Sequence, residues 1–191
     1  MISVKEKILK ATFDCIAEKG SASVSLREIS KKAEVSLSQI HYYFSGKDGL
    51  LVEATAEFMK EDIQSLRTYL EDTQDPLDRI EKTIDYVWEQ NKSQFPLFKV
   101  YFDLLCTAIW NPTLAEQTKQ LQDQLVEAIL DEEMSLGVEN PTLARFILTF
   151  TDGFGLQLLQ GASQEKLEET FLMFKKIVKQ YIQMQKSVNH E

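Results

Sequence analysis

Histidine and cysteine are nearly missing from this chain of 191 residues, with His41, His190, Cys15 and Cys106 as the only examples. There is no HExxH pair, no CxxC clip and no cluster with metal-ligand spacing. No GxSxG elbow or phosphate-cradling glycine loop stands in their place. The chain is therefore not expected to be an enzyme or to need a metal or cofactor. Cys15 and Cys106 both fall in helical patterns, which suggests buried reduced thiols rather than a disulfide. No apolar run approaches the roughly 18 residues of a membrane span. The opening MISVKEKILK carries charges through its apolar positions, so it is no signal peptide. The expected compartment is cytoplasmic. Proline is also scarce: its four copies, Pro76, Pro96, Pro112 and Pro141, fall at breaks in the apolar pattern.

What is present is helical periodicity. A hydrophobic content of 43% can supply a core. Apolar residues recur at three- and four-residue spacing through the whole chain, and no alternating strand pattern survives. The reading is all-α with about nine helices. The first covers about residues 3–19 and ends at Gly20. The fourth starts near Lys47 and joins the N-terminal part to the body. The prolines then cut the body into segments of about 20 residues, each suited to open on proline. The sixth helix, about residues 97–110, is apolar nearly all round and should be central, and the seventh should end at Gly137. The formal charge is −9, but residues 1–50 hold eight Lys/Arg against six Asp/Glu, out of totals of 21 and 30. A mildly basic head on an acidic body excludes indiscriminate nucleic-acid binding and fits a chain that presents only its head.

The informative stretch is 25–47, SLREISKKAEVSLSQIHYYFSGK. Ser25 is an N-cap, and Glu28 completes a capping box. Leu26, Ile29 and Ala33 share one face of a short helix. The pattern breaks at Glu34-Val35, and Ser36 caps a second helix with Ile40 and Phe44 inward. Ser38, Gln39, His41 and Tyr42 remain outside, a set of short hydroxyls, an amide and aromatic polar groups that suits the DNA major groove. This is a helix-turn-helix whose second helix reads DNA. Ser38 and Gln39, with Leu37, are the candidate base readers. Ser25, Arg27, Ser36, His41, Tyr42 and Lys47 are the candidate phosphate contacts, Lys47 lying at a helix start whose N–H groups favour an anion.

The run 36–51, SLSQIHYYFSGKDGLL, resembles the signature of the TetR family of bacterial repressors, in which a Tyr-rich recognition helix ends in Phe and a Lys opens the next helix. Glu34 stands where the family usually has Gly, and His41 where it most often has its first Tyr. The resemblance implies a DNA-binding head, residues 1–46, on a ligand-binding and dimerisation body, residues 47–191. It implies that the last two helices pair between subunits. Phe154, Leu158, Phe174, Val178 and Tyr181 are the candidate interface, with completion of the monomer's own core as the other reading. It also places Trp88, Phe98, Phe102, Asp103, Cys106 and Phe150 around an internal pocket. Asp103 and Asp152, carboxylates inside apolar helices, call for a lysine, a backbone donor or a cationic ligand. The expected function is that of a repressor binding a palindromic double-stranded operator as a homodimer and released by a small hydrophobic inducer, cationic or neutral. The alternatives are a helical regulator or interaction module without an inducer, or an activator-type member.

Overall fold

The computed structural model describes residues 2–93, 95–131, 136, 138 and 140–188. Among these it contains nine α-helices and one 3-10 turn, and no strand, as the periodicity predicts. In order they are α1 (Val4–Lys19), the turn Ser21–Ser23, α2 (Leu26–Ala33), α3 (Leu37–Tyr43), α4 (Lys47–Tyr69), α5 (Pro76–Ser93), α6 (Phe95–Ala108), α7 (Pro112–Leu130), α8 (Pro141–Leu159) and α9 (Gln164–Val188). Pro76, Pro112 and Pro141 open their helices, where the missing N–H has no intrahelical acceptor to lose. α7 stops at Leu130; Gly137, its expected end, and His190 lie outside the described residues.

The chain packs into two compact units, and these do not divide at residue 46. The first combines Met1–Asp62 with Pro96–Gln122. Its core gathers Ile8, Leu9, Ala11 and Cys15 of α1 with Val24, Ile29, Ala33, Ile40, Phe44, Leu50 and Ala54. Phe13 stacks on Phe58 with ring centroids 3.8 Å apart. α6 belongs to this unit because its polar face is tied to the turn after α1. Asp103 Oδ2 accepts from the Ser21 N–H at 2.7 Å, and the Ser21 and Thr107 hydroxyls lie 3.1 Å apart. Of the partners expected for the Asp103 carboxylate, the backbone donor is the one present. The expectation for Cys106 is corrected: its thiol is exposed rather than buried. α6 buries Leu97, Val100, Tyr101, Phe102 and Leu104, but its trailing residues Ile109 and Trp110 stand in solvent.

The second unit comprises Ile63–Phe95 and Asp123–Glu191. Its core runs from Leu70, Ile80, Ile84 and Trp88 to Leu143, Ala144, Phe154, Phe171, Phe174, Val178 and Ile182. Aromatic rings fill its centre: Trp88 lies 4.9 Å from Phe154 and 4.8 Å from Phe171, and Phe150 stacks parallel on Phe174 at 3.8 Å. Burial of each such side chain contributes about 1.5–3 kcal/mol. Lys175–Asp85 and Lys179–Glu81, both at 2.7 Å, fasten α9 to α5. The buried guanidinium of Arg79 donates to the carbonyls of Leu70 and Thr73 at 2.8 and 2.6 Å, satisfying acceptors left open past the end of α4.

This core changes the expected interface. Phe154, Leu158, Phe174 and Val178 are all at most 6% exposed and complete the core of their own chain. Of the five candidates only Tyr181 is exposed. The outward apolar face joins Tyr181 to residues outside that set: Met173, Ile177 and Met184 on α9, with Phe146 and Leu156 on α8. Both faces of α9 are apolar, and periodicity alone could not rank them.

Candidate DNA-binding surface

Three capping boxes set the local geometry of the N-terminal helices. Ser3 and Glu6 start α1. Ser25 starts α2: its hydroxyl accepts the Glu28 N–H at 3.3 Å, and Glu28 Oε2 accepts the Ser25 N–H at 3.4 Å. Lys19, in the last turn of α1, forms an ion pair with Glu28. That hydrogen bond raises the Lys19 ammonium above its usual pKa and, with the Ser25 N–H next in importance, holds the Glu28 carboxyl below its own.

The turn between the helices is built by a left-handed residue. Glu34 adopts φ 56° and ψ 42°, the only non-glycine with positive φ among the described residues. Its N–H reaches the Lys31 carbonyl at 3.3 Å, and the Val35 N–H reaches that of Ser30 at 3.0 Å. These are the bonds of a helix C-cap, a place where glycine is the usual occupant because a Cβ is strained there. Glu34 is exposed, so its side chain reaches water.

α3 begins at once from Ser36. The Ser36 hydroxyl accepts the Gln39 N–H at 3.2 Å, and Gln39 Oε1 accepts the Ser36 N–H at 2.8 Å. This third box was legible as Ser-x-x-Gln, but the amide was read as a base reader alone. Ile40 and Phe44, 1% and 4% exposed, anchor α3 in the core of the first unit. Their burial turns Ser38, Gln39, His41 and Tyr42 outward, all four exposed, with Tyr42 at 82%. Tyr43 joins this face; it is 41% exposed and meets Tyr42 edge-on at 5.0 Å. Periodicity alone does not single it out, although its hydroxyl is as apt for a phosphate as that of Tyr42.

The other expected contacts surround α3. Ser25 and Arg27 are exposed at the start of α2, Ser36 is exposed at the start of α3, Leu37 is half-buried, and Lys47 is half-buried as the first residue of α4. Asp48 beside it is held by the Asn111 amide at 2.8 Å.

The expected ligand residues fall in different units. Trp88 and Phe150 belong to the second, where both join its aromatic core. Phe98, Phe102, Asp103 and Cys106 belong to the first: Phe98 is half-buried, its ring 6.5 Å from that of the buried Phe102. Asp152 is half-buried and has a partner of its own. Among the described residues no group of His, Cys, Asp or Glu could hold a metal ion, and no helix is long and apolar enough to cross a membrane.

Two helices joined by a tight left-handed turn, with the second projecting polar side chains from a buried apolar foot, define a helix-turn-helix DNA-binding module. Residues 8–54 match the family model described as bacterial regulatory proteins, tetR family. Over 170 residues the chain is 24% identical to the HTH-type nicotine-responsive transcriptional repressor of Paenarthrobacter nicotinovorans, covering 85% of this chain and 87% of that protein. It is 26% identical over 157 residues to the HTH-type transcriptional regulator BetI of Stenotrophomonas maltophilia, covering 80% of each. The crystal structure of a transcriptional regulator from Streptomyces coelicolor A3(2) superposes with a TM-score of 0.74 at 25% identity, over 92% of this chain and 98% of that one. Residues 8–54 thus carry the helix-turn-helix of the tetR family, and the relatives matched over most of the chain are named as helix-turn-helix transcriptional regulators.

Proposed function

We infer that this regulator is a repressor that binds a palindromic operator as a homodimer through residues 1–46, and leaves it when a small hydrophobic amine binds the remainder of the chain. The observation that carries the DNA-binding part is the exposed Ser38–Tyr43 face on a foot of buried Ile40 and Phe44. Bases would be read by Leu37, Ser38 and Gln39. Phosphates would be held by Ser25, Arg27, Ser36, His41, Tyr42 and Lys47.

Dimerisation is supported by the exposed apolar stripe of Met173, Ile177, Tyr181 and Met184. Gly153 supports it too. In the middle of α8 a glycine costs about 1 kcal/mol against alanine, yet among the described residues no atom outside its own helical backbone lies within 4 Å of where its Cβ would be. Close approach by a second copy of α8 would account for that glycine. A two-fold dimer also supplies the second head that a palindrome requires.

Ligand release rests on the relative named for its response to nicotine, an amine, and on two unpartnered oxygens. Thr83 Oγ1 and Gln90 Oε1 are buried without a hydrogen-bond partner among the described residues. They are seven residues apart on α5 and so share a face. A ligand carrying N–H donors would satisfy both. The regulator without an inducer is the second reading, favoured by the partner already found for Asp103. The test is anisotropy titration of duplexes taken from the DNA beside the gene, with sedimentation of the free protein. Two protomers on one inverted repeat, released by an amine from a small panel, is the expected outcome. Binding that no duplex sequence or amine alters would remove the repressor reading.

A further inference from the structure

Gln39 has two uses in α3, and the capping box constrains the second. Its carbonyl Oε1 lies 2.8 Å from the Ser36 N–H and 3.1 Å from the Ser36 hydroxyl. The Ser36 hydroxyl in turn accepts the Gln39 N–H at 3.2 Å and lies 2.8 Å from the Ser38 hydroxyl. One assignment of protons satisfies the whole group. Ser38 donates to Ser36, Ser36 donates to Gln39 Oε1, and the Ser36 N–H fills the second lone pair of that oxygen. The amide nitrogen Nε2, on an exposed residue, has no acceptor among the described residues.

We propose that Gln39 reads DNA as a hydrogen-bond donor only, and that the base it selects is guanine. The usual pairing of Gln with adenine needs both halves of the amide, the carbonyl accepting from the N6 amino group while the nitrogen donates to N7. Here the carbonyl is committed to the start of the helix. Withdrawing it would strand the Ser36 N–H and loosen the first turn of the helix that carries the contact. The free NH₂ group offers two protons, and guanine O6 and N7 are the two acceptors that lie side by side in the major groove. Adenine presents N7 alone, next to an amino group that repels a donor.

This inference rests on the DNA-binding reading above, and the experiment separates the two. The full-length protein selects duplexes from a random pool, and Gln39→Ala is put through the same selection. The position whose preference the variant loses is the one Gln39 reads. Guanine there, with binding weakened roughly 5- to 150-fold when the base is replaced, is the expected result. 7-Deazaguanine at that position, which lacks only the N7 acceptor, should weaken the wild type but not Gln39→Ala. Gln39→Glu keeps an oxygen for the box but has no donor. It should keep the wild-type thermal midpoint and move the preference to cytosine, whose N4 amino group donates. Adenine at the Gln39-dependent position, or no position that depends on Gln39, overturns the inference while DNA binding stands. Failure to enrich any sequence would overturn both.

Discussion

Asp103 in α6 accepts a hydrogen bond from the backbone N–H of Ser21, 82 residues earlier, at 2.7 Å. A carboxylate in an apolar helix asks for a partner, and this one finds the first N–H of the 3-10 turn that follows α1. Ser21 is 2% exposed, so its N–H is shielded from bulk water and depends on the carboxylate. Gly20 fits the same joint. It has φ +77°, and its Cβ would lie 3.4 Å from Asp103 Oδ1.

Asp103→Ala should therefore destabilise the first unit by about 1–3 kcal/mol, the cost of a buried unpaired N–H. Asp103→Asn, which keeps the acceptor, should cost less. Both are read as shifts in the thermal midpoint. An Asp103→Ala protein with the wild-type midpoint would show that Ser21 finds another acceptor.

Glu34 gives the opposite sign. A left-handed residue with a Cβ costs about 1–2 kcal/mol, and Glu34→Gly relieves it, less about 0.4–1 kcal/mol for the freer unfolded chain. The variant should be more stable by roughly 0.5–1 kcal/mol and bind operator no more weakly, since it loses a carboxylate beside phosphates. A lower midpoint would mean the exposed side chain makes an unseen favourable contact.

The Lys19–Glu28 pair makes a pH prediction. The folded-state pKa of Glu28 is depressed, so its contribution is present above the ordinary Glu value of about 4.3 and fades as pH falls through the lower folded value. That of Lys19 is raised, so its contribution is present below about 10.4 and fades only as pH rises through the higher folded value. Glu28→Gln keeps an oxygen for the capping box but loses the charge. The wild type should melt higher than this variant by a constant margin from about pH 6 to 9, and the margin should close below about pH 4. A margin that persists in acid would assign the effect to the cap. Added salt should narrow it, because the pair is exposed.

These cases mark where the sequence is a sufficient guide. Ser25, Ser36 and the prolines were legible because a cap or a missing N–H acts within four residues. Ile40 and Phe44 were legible because a polar surround leaves one apolar face. On α9, Phe174 and Val178 alternate with Met173 and Ile177, and a helix with two apolar faces does not say which turns inward. The partner of Asp103 was beyond reach for another reason. It is a backbone group, alike at every residue, and only the fold brings it close.

The two faces of α9 can be separated by charge. Ile177→Glu and Met173→Glu lie outward and should leave the helical fold intact while shifting sedimentation to monomer and abolishing tight operator binding. Val178→Asp, at a site 0% exposed, should unfold the second unit instead. Gly153→Ala should raise helix stability by about 0.5–1 kcal/mol and weaken the dimer. A wild-type protein that sediments as a monomer at micromolar concentration would end the dimer proposal. A dimer insensitive to Ile177→Glu would move the interface elsewhere.

Thr83 separates a ligand contact from core packing. Its buried hydroxyl, without a partner among the described residues, is costly in the free protein. Valine has nearly the same shape and no hydroxyl to satisfy. If the position is only core, Thr83→Val should stabilise by about 1 kcal/mol with no other effect. If Thr83 and Gln90 face an inducer bearing N–H donors, the same variant should be stabilised when free and should also need a higher concentration of amine to release operator. Thermal shift with and without amine measures both quantities on one sample. Binding to the folded state raises the midpoint by an amount set by ligand concentration over Kd, so a weakened site appears as a smaller shift. An amine that shifts wild type and Thr83→Val equally would take α5 out of the ligand site.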